Sequence, residues 1–325
     1  MEKYFSSDTL LLFVPFNDES GFNGKWKIQT DIPRFVSVYA RERFQIGIVS
    51  PLAVDEFARA YGLDTNKFSE YQNLKLYADR FRVRYIITAK IMECSIHRFI
   101  MGDQLTAGYE SFSGEVKYSF TVFDAVHFGS KKDQAVLYEG EADGIVKDRG
   151  LGITLFGKQT DRMNQYYSLD ELSFGSETFN KTVIGEAMMK CAEDFASKLE
   201  RVIPSLTSKV VILPGKVQLD SVATDTSINL KRQLINGEIV LVDGDDVFIN
   251  LGTEDGVRIG DVLPVYDIGK EIRDTKTQNL LGMKDEKIGE IQIIELRAAH
   301  LAMATVISGK NSIKPQQRIR KILIR

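Results

Sequence analysis

The feature that most constrains the fold is a change of rhythm at Pro204. Just upstream, Ile184, Met188, Cys191, Phe195, Leu199 and Val202 recur at helical spacing and form one apolar stripe, while Lys190, Glu193, Asp194, Lys198 and Glu200 fall on the side expected to face water. Downstream no helical period competes. "EIVLVD", "DVFINLG", "DVLPVYDI", "KIGEIQIIEL", "LAMATVIS" and "RIRKILI" are short β-runs punctuated by glycine, at the spacing of a small barrel. Two domains are therefore expected, residues 1–204 and 205–325, and a chain of 325 residues with 43% hydrophobic content can supply a core to each.

The first domain reads as α/β (α+β) with a mixed sheet. "LLLFVPF", Leu10 to Phe16, is a run of the kind buried on both faces of a central strand. After a polar loop through Trp26, Asp31 before Ile32 and Pro33 predicts a helix start, with Ile32, Phe35 and Tyr39 on one face. "FQIGIVS" predicts a second strand, and Ser50-Pro51 opens another helix. A helix carrying Leu74, Tyr77, Ala78 and Phe81 leads into the β-branched run "RYIITAKIMECSIHRF". Alternation in "EVKYSFTVFDA" and "AVLYEGEADGIV" adds antiparallel strands. Between residues 150 and 175 periodicity is lost, which predicts a surface excursion.

A net charge of −3 gives no overall attraction to nucleic acid or to an anionic membrane. No apolar run approaches the ~20 residues of a membrane-spanning helix. Cys94 and Cys191 form neither a zinc pattern nor a disulfide framework and read as small buried residues. "LPGKVQ" and "FGSKKD" lack the first glycine and the hydroxyl of a phosphate loop, and the glycines at 21 and 24 lack the third of a dinucleotide fingerprint. Three histidines, His97, His127 and His300, have no nucleophile elbow beside them, although His97 and His127 fall on neighbouring β-segments that could bring them together. The arginines at 318, 320 and 325 alternate imperfectly with isoleucines, and with no aromatic residues interleaved they predict a terminal strand with one wet face in preference to a nucleic-acid patch.

The stretch most like a site is "VDGDDVFINLGTEDGVRIGD", residues 242–261. Read as a calcium loop from Asp243, it places Val247 where an oxygen is required and Phe248 at the glycine position. It reads instead as turns: Asp243-Gly244 as a type I′ hairpin, then bends at Gly252, Gly256, Gly260 and Asp261 where positive φ is needed. No catalytic residue, metal or cofactor is expected, and no enzyme activity.

The order of these pieces resembles a known family. "LLFVPFNDESG", "KWKIQTDIPRFVSVYARERFQIGIVS", "ADRFRVRYIITAKI" and "GSETFNKTVIGEA" are similar to the periplasmic α/β domain shared by the curli secretion lipoprotein CsgG, the TolB amino-terminal region and the middle part of flagellar assembly protein T (FlgT). Pro15, Phe16 and Asn17 fall where that family ends its first strand, and Phe179, Thr182, Gly185 and Ala187 match its F-x-x-T-x-x-G-x-A helix opening. "VFINLGTEDGVRIGDVLPVY", "IGEIQIIEL" and "SIKPQQRIR" resemble the carboxy-terminal β-domain of FlgT. The resemblance implies a mixed-sheet sandwich followed by a β-barrel, export to the periplasm with Met1 added to or retained on a mature form, and a structural place in a cell-envelope ring, above all a collar of the flagellar basal body. Other envelope or flagellar ring proteins and further copies of the chain are the implied partners, with Arg162, Tyr166 and Tyr167 of the excursion as interface candidates. An accessory subunit of a curli-like secretion system and a periplasmic peptide- or glycan-binding module are the alternatives.

Overall fold

The computed structural model describes residues 11–64, 67–101, 109–128, 135–147, 171–206, 228–278, 280–309 and 311–325. The interface candidates Arg162, Tyr166 and Tyr167 lie outside the described residues. The chain forms two compact units, and its described part crosses from the first to the second at Leu230–Lys231. Residues 228–230 stay with the first unit because the Asn229 amide donates to Gly175 O at 2.9 Å and Asn180 Nδ2 donates to Asn229 O at 3.2 Å.

In the first unit the order is β1 (Leu11–Phe13), β2 (Asn17–Asp18), α1 (Ile28–Phe44), β3 (Ile48–Val49), α2 (Pro51–Ala60), α3 (Tyr71–Phe81), β4 (Tyr85–Met101), β5 (Tyr109–Asp124), β6 (Val136–Lys147), α4 (Glu177–Asn180) and α5 (Val183–Val202). The sheet runs β3-β1-β4-β5-β6, with β2 also beside β4. Strand β1 is parallel to β3 and β4, whereas β5 and β6 are antiparallel additions. Alternation along β1 explains its unbroken apolar sequence. Leu12 packs with Val54 and Ala58 of α2 and Leu74 and Tyr77 of α3, while Phe13 on the other face meets Phe195 of α5 at 5.9 Å.

Helix α1 starts three residues before Asp31, with Lys27 as its N-cap; Asp31 Oδ2 instead reaches back to accept the Lys27 amide at 2.8 Å. Pro33 therefore lies inside the helix. Lacking an N–H, it leaves Gln29 O without its helical donor, and the Phe16 amide takes that carbonyl at 2.8 Å. The expected strand over 44–50 shrinks to Ile48–Val49 because Gln45 ends α1 in the left-handed region, at φ 54°. Ser50 caps α2 with Pro51 in its first turn.

Helix α5 carries the apolar stripe inward, with Ile184, Met188, Cys191, Phe195 and Leu199 all buried. Its contact with the sheet is backbone on backbone: a Cβ at Gly114 would lie 2.6 Å from Val183 O, and one at Gly144 would lie 2.5 Å from the Cys191 nitrogen. Four of the five expected water-facing polar residues depart from that role or qualify it. Lys190, Asp194 and Lys198 bond to the backbone of β6, and Glu200 pairs with Arg43 at 3.4 Å.

The second unit contains β7 (Arg232–Asp243), β8 (Asp246–Ile249), β9 (Val262–Arg273), β10 (Leu280–Ala298), β11 (Leu301–Ser308) and β12 (Arg318–Ile324). They close as a barrel in the order β10-β11-β8-β7-β12-β9. Ile239, Val247, Ile249, Leu263, Val265, Ile291, Ile293 and Ile319 fill its core. The β7–β8 hairpin is centred one residue later than expected. Asp243 pairs with Asp246, so Gly244 and Asp245 form the turn, and only Gly244 has positive φ, 64°. That is the pattern of a type II′ turn with glycine first, in place of type I′. The fold is thus a mixed α/β unit followed by an all-β barrel.

Candidate functional site

The acidic glycine loop joins β8 to β9 at one end of the barrel. Leu251 and Val257 turn their side chains into the core, 3% and 2% exposed, which draws the loop backbone against the barrel. Asp255 Oδ2 accepts the Gly252 amide at 2.8 Å and faces His300 Nδ1 at 2.9 Å. Asp261 Oδ2 accepts the Arg258 amide at 2.6 Å and is ion-paired to Lys321. Lys321 Nζ also donates to Gly256 O at 2.9 Å. The loop backbone is tied to the strands as well: the Gly260 amide donates to Ile293 O, and the Ile293 amide returns to Asp261 O, both at 2.8 Å.

Lys321 was not legible as part of this arrangement from the loop. It sits on β12 two residues after the buried Ile319 and is itself only 7% exposed. Alternation sends it inward, where a lone ammonium is costly unless paired. Asp261 and the Gly256 carbonyl satisfy it. The one available sequence signal is a lysine at an inward position of a terminal strand.

The three expected bends differ in mechanism. Gly256 and Gly260 have φ of 73° and 93°, in the region that favours glycine. Gly252 does not have positive φ. A Cβ there would instead collide with Ala298 O and lie 2.5 Å from Ala299 O and 2.6 Å from the Leu301 nitrogen, so close backbone approach selects glycine.

Protonation follows the same contacts. The hydrogen bond to Asp255, with that carboxylate's charge, raises His300 above its ordinary 6.5. Burial pushes Asp255 up, but the hydrogen bonds from His300 and the Gly252 amide outweigh it, and its carboxyl ends below the usual 3.8. Among the described residues no group of three or more His, Cys, Asp or Glu side chains is placed to hold a metal ion.

The family-motif residues also lie in the frame. Pro15 and Phe16 are buried, and Asn17 Nδ2 donates to Ser69 Oγ at 3.2 Å. Thr182 caps α5: its hydroxyl accepts the Gly185 amide at 3.1 Å and donates to Phe179 O at 2.6 Å. A Cβ on Gly185 would run into Phe179 O, and the Phe179 ring is buried against Trp26, Phe35 and Phe174.

The two histidines do not meet. His97 pairs across to Ser113, whereas His127 follows the end of β5, where Asp124 pairs with Tyr85. Twelve strand residues from 85 to 97 correspond to ~40 Å at about 3.3 Å each. Cys94 and Cys191 are buried, and burial pushes the Cys94 thiol up to about 12. The terminal strand is also less wet than expected, since Arg320 lies over the Tyr266 ring at 4.9 Å and pairs with Asp285. An open groove of about 520 Å³ is lined by Asp267, Ile288, Ser312, Lys314, Gln316 and Gln317.

No family model and no curated protein matches the chain. Solved structures with similarity include lipoprotein GNA1162 from Neisseria meningitidis, 13% identical with a TM-score of 0.30, covering 50% of this chain and 94% of that one. Protein CT253 from Chlamydia trachomatis is 13% identical with a TM-score of 0.36, covering 61% and 99%. The C-terminal domain of LpoB from Salmonella enterica is 9% identical with a TM-score of 0.28, covering 45% and 87%. At these values nothing passes from them to this chain. Among the described residues no helix is long and apolar enough to cross a membrane.

Proposed function

We propose that this chain is a non-enzymatic structural component of a bacterial cell-envelope ring, a periplasmic collar associated with the flagellar basal body and assembled from like copies or with other ring proteins. The observation that carries the reading is the state of the acidic glycine loop. The carboxylates of Asp255 and Asp261 each brace a turn through a backbone amide, and each meets a barrel side chain, the His300 imidazole or the Lys321 ammonium. Side chains engaged in this way hold a rigid module in shape. The motif resemblance of the two domains in tandem supports the CsgG-like and FlgT-like assignment, the periplasmic location and the flagellar setting.

The test is made in cells. Deleting the gene is expected to remove a ring density from tomograms of the envelope and to impair motility, and the intact chain should restore both. Unchanged rings and motility in the deletion strain would sink the proposal. A peptide- or glycan-binding module is the second reading, favoured by the groove at Asp267 and Lys314. Intact rings together with calorimetric binding of a periplasmic peptide or glycan, lost on Lys314→Ala, would put it first.

A further inference from the structure

Among the described residues β6 ends the sheet of the first unit, and no described strand lies beside its outer edge. On such an edge, residues two apart point their amides and carbonyls the same way, and an unpaired row of them is a template for another strand. Here three consecutive outward positions are taken. Lys198 Nζ donates to Glu141 O at 2.7 Å, the Asp143 amide donates to Asp194 Oδ2 at 3.1 Å, and Lys190 Nζ donates to Ile145 O at 3.1 Å. Lys198 and Asp194 are themselves paired at 2.6 Å.

The match is geometric. Residues four apart on a helix advance ~6.0 Å, and residues two apart on a strand advance ~6.6 to 6.8 Å. A helix antiparallel to the strand can therefore address three successive outward positions. Cation, anion and cation along α5 meet carbonyl, amide and carbonyl along β6.

The same edge is self-complementary. Two antiparallel copies of β6 centred on Gly144 would place Glu141 opposite Lys147 and Asp143 opposite Ile145, each twice, with no like charges facing. All four residues are exposed and all have odd numbers, so the outward backbone groups of both copies would meet. Glu141 already has Lys117 at 2.8 Å on its inner side, and Lys147 of a second copy would continue that ion row. Other described edges fit less well. The barrel is closed, β3 has two residues, and the stretch of β4 beyond Ile91 offers Glu93, Ser95, His97 and Phe99, with no lysine to meet Glu141.

We propose that β6 is a self-pairing edge held shut by Lys190, Asp194 and Lys198, and that the partner it accepts when they are removed is β6 of a second copy. This rests on the edge geometry and holds whether or not the chain belongs to a ring. The test compares the intact chain with Lys190→Met/Asp194→Ala/Lys198→Met, which removes the three bonding groups and keeps apolar chains of similar length at 190 and 198. Light scattering should show twice the wild-type mass at concentrations around 100 µM, where a weak contact is populated. Adding Glu141→Lys should return the mass to the wild-type value, and adding Lys147→Glu as well should restore the doubling. A folded triple variant with unchanged mass, or one forming open-ended chains, overturns the proposal. Should the triple variant not fold, Asp194→Ala alone decides: the Asp143 amide must exchange on the order of tenfold faster than in the wild type, and an unchanged rate removes the guard.

Discussion

Asp255 and His300 form a pair whose contribution depends on acidity. His300 is raised above 6.5, so what it adds is complete below about pH 6.5 and is lost as pH rises through its folded value. Asp255 is lowered below 3.8, so its share is complete above that value and is lost as pH falls through the folded one. The melting temperature of the barrel should therefore exceed that of His300→Asn below about pH 6.5 and approach it as pH rises through the folded value of His300; a pH-independent gap would show that the pair does not titrate with folding. The loop glycines separate in the same way. Gly260→Ala meets open space and only the left-handed φ, expected to cost about 1 kcal/mol. Gly252→Ala must displace two carbonyl oxygens and should cost more, in the range of about 1–3 kcal/mol for overpacking or above it. Urea unfolding of the two variants gives the order. Lys321→Met leaves the Asp261 carboxylate, 14% exposed, beside an apolar stem and should destabilise the barrel by about 3 kcal/mol, with partial recovery on adding Asp261→Asn. Calcium, magnesium and zinc should leave the melting temperature unchanged, whereas a site filled at a hundredfold excess over Kd would add about 2.7 kcal/mol.

At the scale of elements, α5 shows what a sequence reveals and what it hides. Its apolar stripe and its end before Pro204 were readable because helical periodicity is a local property, whereas Thr182 entered only through the motif resemblance and the structure shows it to be the cap. Thr182→Ala removes both bonds of that hydroxyl and should cost about 1–2 kcal/mol in chemical denaturation; a neutral variant would mean that the cap is redundant. The targets of Lys190, Asp194 and Lys198 were hidden, because polar residues on a helix face water unless a strand edge lies beside them, and that edge is 45 or more residues away in sequence. The start of α1 was misplaced for a related reason. Asp31-Ile-Pro has the form of a helix start, but the carbonyl left open by Pro33 is used by Phe16, a contact that local spacing does not encode. In the barrel, each of the six β-runs between glycines falls on a strand, although β7, β9 and β10 extend well beyond the runs. The turn register of β7–β8 shifted by one residue because Asp-Gly and Gly-Asp both suit a two-residue loop, and cross-strand pairing decides between them.

For the whole molecule, two units with separate cores predict two unfolding events. Calorimetry should resolve them, with Lys321→Met lowering one transition and Thr182→Ala the other; a single transition moved by both substitutions would show that the units unfold together. The barrel has a further property at its seam. Its first strand and its last lie side by side, Arg232 opposite Ile324, and beyond them Lys231 and Arg325 exchange both backbone hydrogen bonds at 2.6 and 3.0 Å. The polypeptide thus enters and leaves this unit through one doorway, as in a cassette. A tag or a second protein spliced after Arg325 would hang beside Lys231, where the chain enters the barrel. Cutting the chain at the exposed Gly244 turn and joining the old ends with a short bridge should give a rearranged barrel that still closes.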